Sequence, residues 1–518
     1  MTLSEAELPI PLPQWPGEYR GHLSQRLDRS AAYIKTSPRP IVHQHVRSFF
    51  TLLSEARRYP ELTPKMLELI AALHPLPVRW GLGFIWEQEL RFALEHLPRA
   101  SVAQRCEYLC SLADVYLFSG QFERAIANTE AVLALEDAPA ELVARASRIL
   151  FTSLRSTGPL QPAEELIEHL RPVLMADQPA ASVPPHLIEA WLRFNQSELE
   201  LMRERGQHEQ ALRLAEDMLW LDECQGSPDG SLTADLLTHR STLLWAQGYY
   251  SEAAADLQRA VRLYQDQEDQ FNAESLQSNL GLVYWTMGDL DSAEKSLQAS
   301  IGYYRKTGSD QLITFDIGNL GLVYFARGEL DQALKLTREH IEHAQKLSFI
   351  SEYNRGLRNL GTILYYYGEY QEAVRVLTTC HSYYEKRGSR PAYWLDVVWL
   401  GLCRGALGEH EKGLGMVREV LQRSREMGSQ VLEQVTLRSL AYFSPPGARP
   451  EILCRSLELA FATDRKLEQA AVYLMLAGTP GGEPQDWLAG CDLLRQIGAE
   501  KWLVGYSIEN PPFIPLLI

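Results

Sequence analysis

Apolar residues recur along most of the chain at the spacing of one helix face. In the stretch from Asn279 to Ala293, NLGLVYWTMGDLDSA, Leu280, Val283 and Tyr284 fall at i, i+3 and i+4. Gly288 and Asp289 then interrupt the pattern, because glycine admits the left-handed conformation that ends a helix. A second apolar face begins near Leu290 and carries Ala293, Leu297 and Ile301. The spacing predicts two helices joined by a tight turn. Gly281 and Ala293 are small where those helices are expected to cross, and a larger side chain would push the backbones apart at about 1–3 kcal/mol.

The same pattern returns at a fixed interval. NLGLVYFARGELDQA starts at Asn319 and NLGTILYYYGEYQEA at Asn359. The turn glycines Gly248, Gly288, Gly328, Gly368 and Gly408 are each 40 residues apart, while Gly120, Gly158 and Gly206 lie earlier at irregular intervals. Five residues after these glycines stand Ala125, Ala163, Ala211, Ala253, Ala293, Ala333, Ala373 and finally Gly413. A helix pair cannot bury both of its faces alone, so a period of this length predicts pairs stacked on one another.

The Leu280-Gly281, Tyr284, Gly288, Ala293 series and its copies resemble the tetratricopeptide repeat family. The second copy has Leu320-Gly321, Tyr324, Gly328 and Ala333. The third has Leu360-Gly361, Tyr365 displaced by one, Gly368 and Ala373. The fourth keeps Leu400-Gly401 and Gly408 but has Arg404 at the aromatic position. The 40-residue period is longer than the family's usual one. It is similar to the longer-helix arrays of LGN-type and kinesin-light-chain-type proteins and of bacterial STAND regulators. The resemblance implies an all-α, right-handed superhelical solenoid of antiparallel helix pairs.

The expected organisation is an irregular segment over 1–40, a helical N-terminal cap over 41–100 and degenerate repeats over 101–205. The regular array follows over 206–430, then a helical C-terminal cap with an apolar tail over 431–518. The tail, PPFIPLLI, holds five large apolar residues beside three prolines, which favours an extended form laid across the chain's own C-terminal helices. Docking of the tail into a partner or a second copy is the rival expectation.

Composition narrows the function. The 518 residues are 46% hydrophobic and 22% charged, with a net charge of −16. The acidity is not uniform: residues 1–80 carry 10 Lys+Arg against 7 Asp+Glu. A nucleic-acid partner is therefore not expected, because phosphate contacts need clustered cations. No run of 18 apolar residues exists, so no membrane span is expected. The start, MTLSEAELPIPLPQWPGEYR, lacks the basic and apolar regions of a signal peptide. The seven scattered cysteines read as reduced core thiols of a cytoplasmic protein. No phosphate loop, dinucleotide fingerprint, H-E-x-x-H or G-x-S-x-G is present. His340 and His343 have helical i,i+3 spacing but read as exposed repeat residues rather than metal ligands. No cofactor, metal site or catalytic residue is expected.

The candidate contacts lie on the first helices, which line the concave side of such an array. Asn279, Asn319 and Asn359 recur before each Leu-Gly pair. The resemblance implies that they line the groove and hydrogen-bond a peptide backbone; a stacking role between repeats is the alternative. Trp245, Trp285, Phe325 and Tyr365 form an aromatic column that is either core or apolar contact area for a partner. Arg355 and Arg358 lie where related arrays grip carboxylates, a solvated surface being the alternative. The expected function is a scaffold binding a protein or peptide partner, in bacterial signalling or regulation. A peptide-sensing regulator of the pheromone-receptor type is the alternative, although residues 20–60 show no helix-turn-helix signature. An enzyme would need convergent polar residues in a closed pocket. A homo-oligomer is left open.

Overall fold

A computed structural model describes residues 15–508, apart from 38, 75–81, 98–101, 158–160, 173–178, 206, 226–229, 308–309, 348 and 388–389. The described residues form 24 α-helices and no sheet. The first four are α1 Trp15–Thr36, α2 Arg39–Ala56, α3 Thr63–Leu73 and α4 Gly83–His96. Next come α5 Val102–Phe118, α6 Phe122–Leu133, α7 Ala140–Thr157, α8 Gln161–Leu170, α9 Ile188–Glu204 and α10 His208–Gln225. The regular pairs are α11 Gly230–Ala246 with α12 Tyr250–Asp266, α13 Gln270–Met287 with α14 Leu290–Thr307, and α15 Asp310–Ala326 with α16 Leu330–Lys346. Two more are α17 Ile350–Tyr366 with α18 Tyr370–Arg387, and α19 Arg390–Ala406 with α20 His410–Glu426. The last four are α21 Gln430–Phe443, α22 Arg449–Ala462, α23 Lys466–Ala477 and α24 Pro484–Gln496. Each helix packs on its neighbour in sequence, which makes the molecule an all-α solenoid.

The turn chemistry repeats with the sequence. Gly248, Gly288, Gly328, Gly368 and Gly408 have φ of +89°, +81°, +79°, +77° and +88°. The residue after each donates its N–H to a carbonyl five residues back, as Asp289 does to Tyr284 at 2.9 Å and Glu329 to Tyr324 at 2.9 Å. These bonds satisfy carbonyls that the helix end would leave orphaned. At the crossings Ala253, Ala293, Ala333 and Ala373 are fully buried. A Cβ on Gly281 would lie 2.7 Å from Leu297 Cγ, so the helices meet there at glycine distance.

The N-terminus departs from the expected irregular segment over 1–40, because Trp15–Thr36 is a helix. Its prolines stop within the first helical turn, and Leu23, Leu27, Ala31 and Ile34 form a buried stripe. The cysteine reading also needs correction. Cys106, Cys110, Cys380, Cys403 and Cys491 are buried, but Cys224 and Cys454 are exposed. The apolar tail over 509–518 lies outside the described residues.

The C-terminal helices return to the array. Thr463 packs on Gly248, Ile497 and Lys466 on Gly288, and Lys501 with Trp502 on Gly328. Leu467, Ala470, Leu474, Leu494, Ile497 and Trp502 share one core with Phe271, Leu290, Ala293 and Phe325. Three successive turns are thus covered by one returning segment, whereas among the described residues nothing comes within 4 Å of a Cβ placed on Gly368 or Gly408.

Candidate functional site

The first helices α15, α17 and α19 enclose a cavity of about 130 Å³. Gly321 and Thr337 (the latter from α16) lie in its lining, as do Phe325, Ile363, Leu395 and Trp399. Arg355, Arg358 and Asn359 also line it, so the apolar surface meets two cations and an amide. On α17 Leu357, Ile363, Leu364 and Tyr365 are buried, while Arg355, Arg358 and Asn359 are half-buried.

Both arginines already hold carboxylates. Arg355 Nε donates to Glu352 Oε2 at 2.8 Å, Nη1 to Asn319 Oδ1 at 2.7 Å and Nη2 to the Phe315 carbonyl at 3.2 Å. Arg358 Nε donates to Asp396 Oδ1 at 2.5 Å and Nη2 to Oδ2 at 3.3 Å, with its guanidinium 4.5 Å from the Tyr384 ring centroid. Burial would lower the Arg358 pKa, but Asp396 outweighs it and the guanidinium stays charged. Burial would raise the Glu352 carboxyl, yet Arg355 and a hydrogen bond from His340 hold it below its ordinary value.

His340 is fully buried, which corrects its reading as an exposed residue. Burial lowers its pKa despite the contact with Glu352, so the ring is neutral at pH 7 and Nε2 donates to Glu352 Oε2 across 3.1 Å. Its ring presses on the backbone of Gly318, where a Cβ would sit 2.8 Å from Nδ1. Nearby, Asp316 is buried and accepts hydrogen bonds from the Ser278 and Ser300 hydroxyls, one on each carboxylate oxygen. Burial pushes its pKa up to about 6 against those two bonds and the charge of Arg355.

Of the residues expected from sequence, Phe325, Arg355, Arg358 and Asn359 come together at the cavity. Asn319 is buried and turned to Arg355. Tyr365 is buried behind the site, 5.6 Å from the Trp399 ring centroid. Asn279 is half-buried and lies outside the lining. Trp285 donates its indole N–H to the Leu322 carbonyl at 3.2 Å, and Trp245, 40% exposed, donates to Thr286 at 3.0 Å. The expectation that Arg355 and Arg358 wait for a ligand carboxylate meets a physical obstacle, since Glu352 and Asp396 already occupy them.

Sequence reasoning missed Thr337, Trp399, Glu352 and Asp396. Two of them carried a signal. Thr337 interrupts the column Leu257, Leu297, Leu377, Val417, and Trp399 follows Asn279, Asn319 and Asn359 at the 40-residue period. Among the described residues no group of three or more His, Cys, Asp or Glu could hold a metal, and no helix is long and apolar enough to cross a membrane.

Comparison with known proteins agrees with this architecture. Tetratricopeptide repeat family models match residues 233–266 and 272–346. No curated protein matches the chain. Among solved structures, a Rap protein complexed with competence and sporulation factor aligns at TM-score 0.50 and 14% identity, over 70% of this chain and 98% of that one. The Rap conjugation gene regulator of plasmid pLS20, in complex with the Phr* peptide, aligns at 0.47 and 16%, over 69% and 95%. The apo quorum sensor NprR from B. thuringiensis aligns at 0.46 and 13%, over 68% and 97%. At 14% identity the likeness to the first of these is one of fold. With its turn glycines, crossing alanines and stacked pairs in register with the matched segments, the chain carries tetratricopeptide repeats over 233–266 and 272–346.

Proposed function

We propose that this chain is a scaffold that binds a peptide along its first helices, in bacterial signalling or regulation. The observation that carries the reading is the cavity between α15, α17 and α19, with Asn359 in its lining. An amide offers a donor and an acceptor to an extended backbone. The fold neighbour crystallised with competence and sporulation factor lends support, and a peptide ligand is carried over from it as part of the proposal. A peptide-sensing regulator of the pheromone-receptor type would use the same face. We read the chain as a binding protein rather than an enzyme, because Glu352 and Asp396 are tied to arginines and Asp316 to two hydroxyls. In this reading residues 206–430 form the binding array in a cytoplasmic protein, with 1–205 and 431–518 flanking it.

The test is selection of peptides on the full chain, followed by Asn359→Ala. The variant should weaken the selected peptides by about 1–3 kcal/mol, the cost of an unmet polar contact, and leave helical circular dichroism unchanged. Lost stability with unchanged affinity would assign the asparagine to repeat stacking and sink the reading.

A further inference from the structure

One position in the cavity lining breaks the repeat. At three crossings a glycine of the first helix is filled from the second. A Cβ at Gly281 would lie 2.7 Å from Leu297 Cγ, at Gly361 2.5 Å from Leu377 Cγ, and at Gly401 3.2 Å from Val417 Cγ2. At the fourth, a Cβ on Gly321 would meet nothing closer than Thr337 Oγ1, at 3.5 Å. Threonine, one heavy atom smaller and polar, stands where its neighbours in the column are Leu297 and Leu377, and it leaves the Gly321 crossing less tightly filled than the others. Phe325, Ile363, Leu395 and Trp399 give the cavity its apolar lining.

We propose that this notch is a specificity pocket for a single uncharged, phenyl-sized apolar side chain of the bound peptide. The inference rests on the peptide-binding reading above and adds to it the kind of side chain selected. Size supports it: an apolar cavity of about 150 Å³ holds benzene, and this one is about 130 Å³. Charge supports it too. Glu352 neutralises Arg355 and the fully buried Asp396 neutralises Arg358, so an acidic side chain would have to displace an internal carboxylate. A basic one would meet two guanidinium groups. An aromatic or leucine-like group instead fills the notch and covers the faces of Phe325 and Trp399.

The experiment restores the column. Random seven-residue peptides displayed on phage are selected on the full wild-type chain, and the enriched peptides are measured by fluorescence anisotropy against Thr337→Leu, Gly321→Ala and Asn359→Ala. Enriched sequences should share one Phe, Tyr, Leu or Met at a fixed position. Thr337→Leu should bind them at least tenfold more weakly while melting no lower than wild type, since it fills a void. Gly321→Ala adds one methyl into the same space and should act in the same direction, which covers a folding failure of the first variant. Replacing the shared peptide residue by Ala should weaken binding to wild type and have little further effect on Thr337→Leu. Peptides that lose affinity for Asn359→Ala yet bind both filled variants as wild type overturn the pocket and leave the groove standing. No enrichment, or peptides indifferent to all three substitutions, overturns both.

Discussion

Asp316 shows how much a single buried group can impose on the array. It is 1% exposed, and its folded pKa of about 6 lies above that of an unfolded aspartate. The folded chain therefore keeps a proton that the unfolded chain has lost between pH 4 and 6. Stability from this group is complete below pH 4 and falls as the pH rises through about 6. At about 1.4 kcal/mol per unit, the fall amounts to about 3 kcal/mol. Asp316→Asn keeps the shape and removes the titration. Denaturant unfolding of both chains from pH 4 to 7 should show the variant gaining on wild type by about that amount, and a pH-independent difference would remove Asp316 as the cause. None of this was legible at the residue scale. Asp316, His340 and Glu352 sit at ordinary helical positions in the sequence, and only the fold buries them, joins His340 to Glu352 and brings the charge of Arg355 to bear on Asp316. The asparagine column was visible, but Asn319 is spent on Arg355, so periodicity alone did not separate groove residues from supports.

The helix pair was far easier to read, because glycine turns and apolar stripes are local. The turn glycines, the crossing alanines and the 40-residue register all come through in the folded chain. What stayed hidden was any difference between equivalent turns. Gly328 and Gly368 have φ of +79° and +77° and look alike in sequence. Among the described residues a Cβ at Gly368 meets nothing within 4 Å, whereas at Gly328 it would lie 3.0 Å from Trp502 N and 3.2 Å from Lys501 C. Gly368→Ala should therefore cost about 1–2 kcal/mol, the left-handed strain alone. Gly328→Ala should lower the melting temperature clearly further, because backbone atoms of the returning segment must also move. Equal losses would mean that the segment does not press on that turn. Helix α1 escaped the sequence reading for a similar reason: its prolines were conspicuous and its widely spaced apolar stripe was not.

On the scale of the whole molecule, the returning segment changes what kind of solenoid this is. In an open stack each pair touches only its neighbours, and damage at one end stays there. Here Trp502 donates its indole N–H to the Ala326 carbonyl at 2.9 Å across 176 residues of sequence, and its ring lies 5.7 Å from Phe325 and 5.0 Å from Tyr366. Phe325 lines the cavity, and Tyr366 packs on Trp399, which lines it as well. The C-terminal segment thus backs two of the cavity's aromatic residues while spanning the turns at Gly248, Gly288 and Gly328. No repeat period announces such a contact, since it joins parts of the chain with no sequence likeness. Trp502→Ala should cost about 3–5 kcal/mol, as for other buried aromatic truncations. Trp502→Phe should recover most of this, because it forfeits mainly the hydrogen bond. Hydrogen exchange locates the effect. In Trp502→Ala, amides of α23, α24 and the turns at Gly288 and Gly328 should exchange faster, while α5–α7 remain as in wild type. Faster exchange confined to residues after 497 would show instead that the array ends as an open stack and that the cavity stands without its C-terminal support.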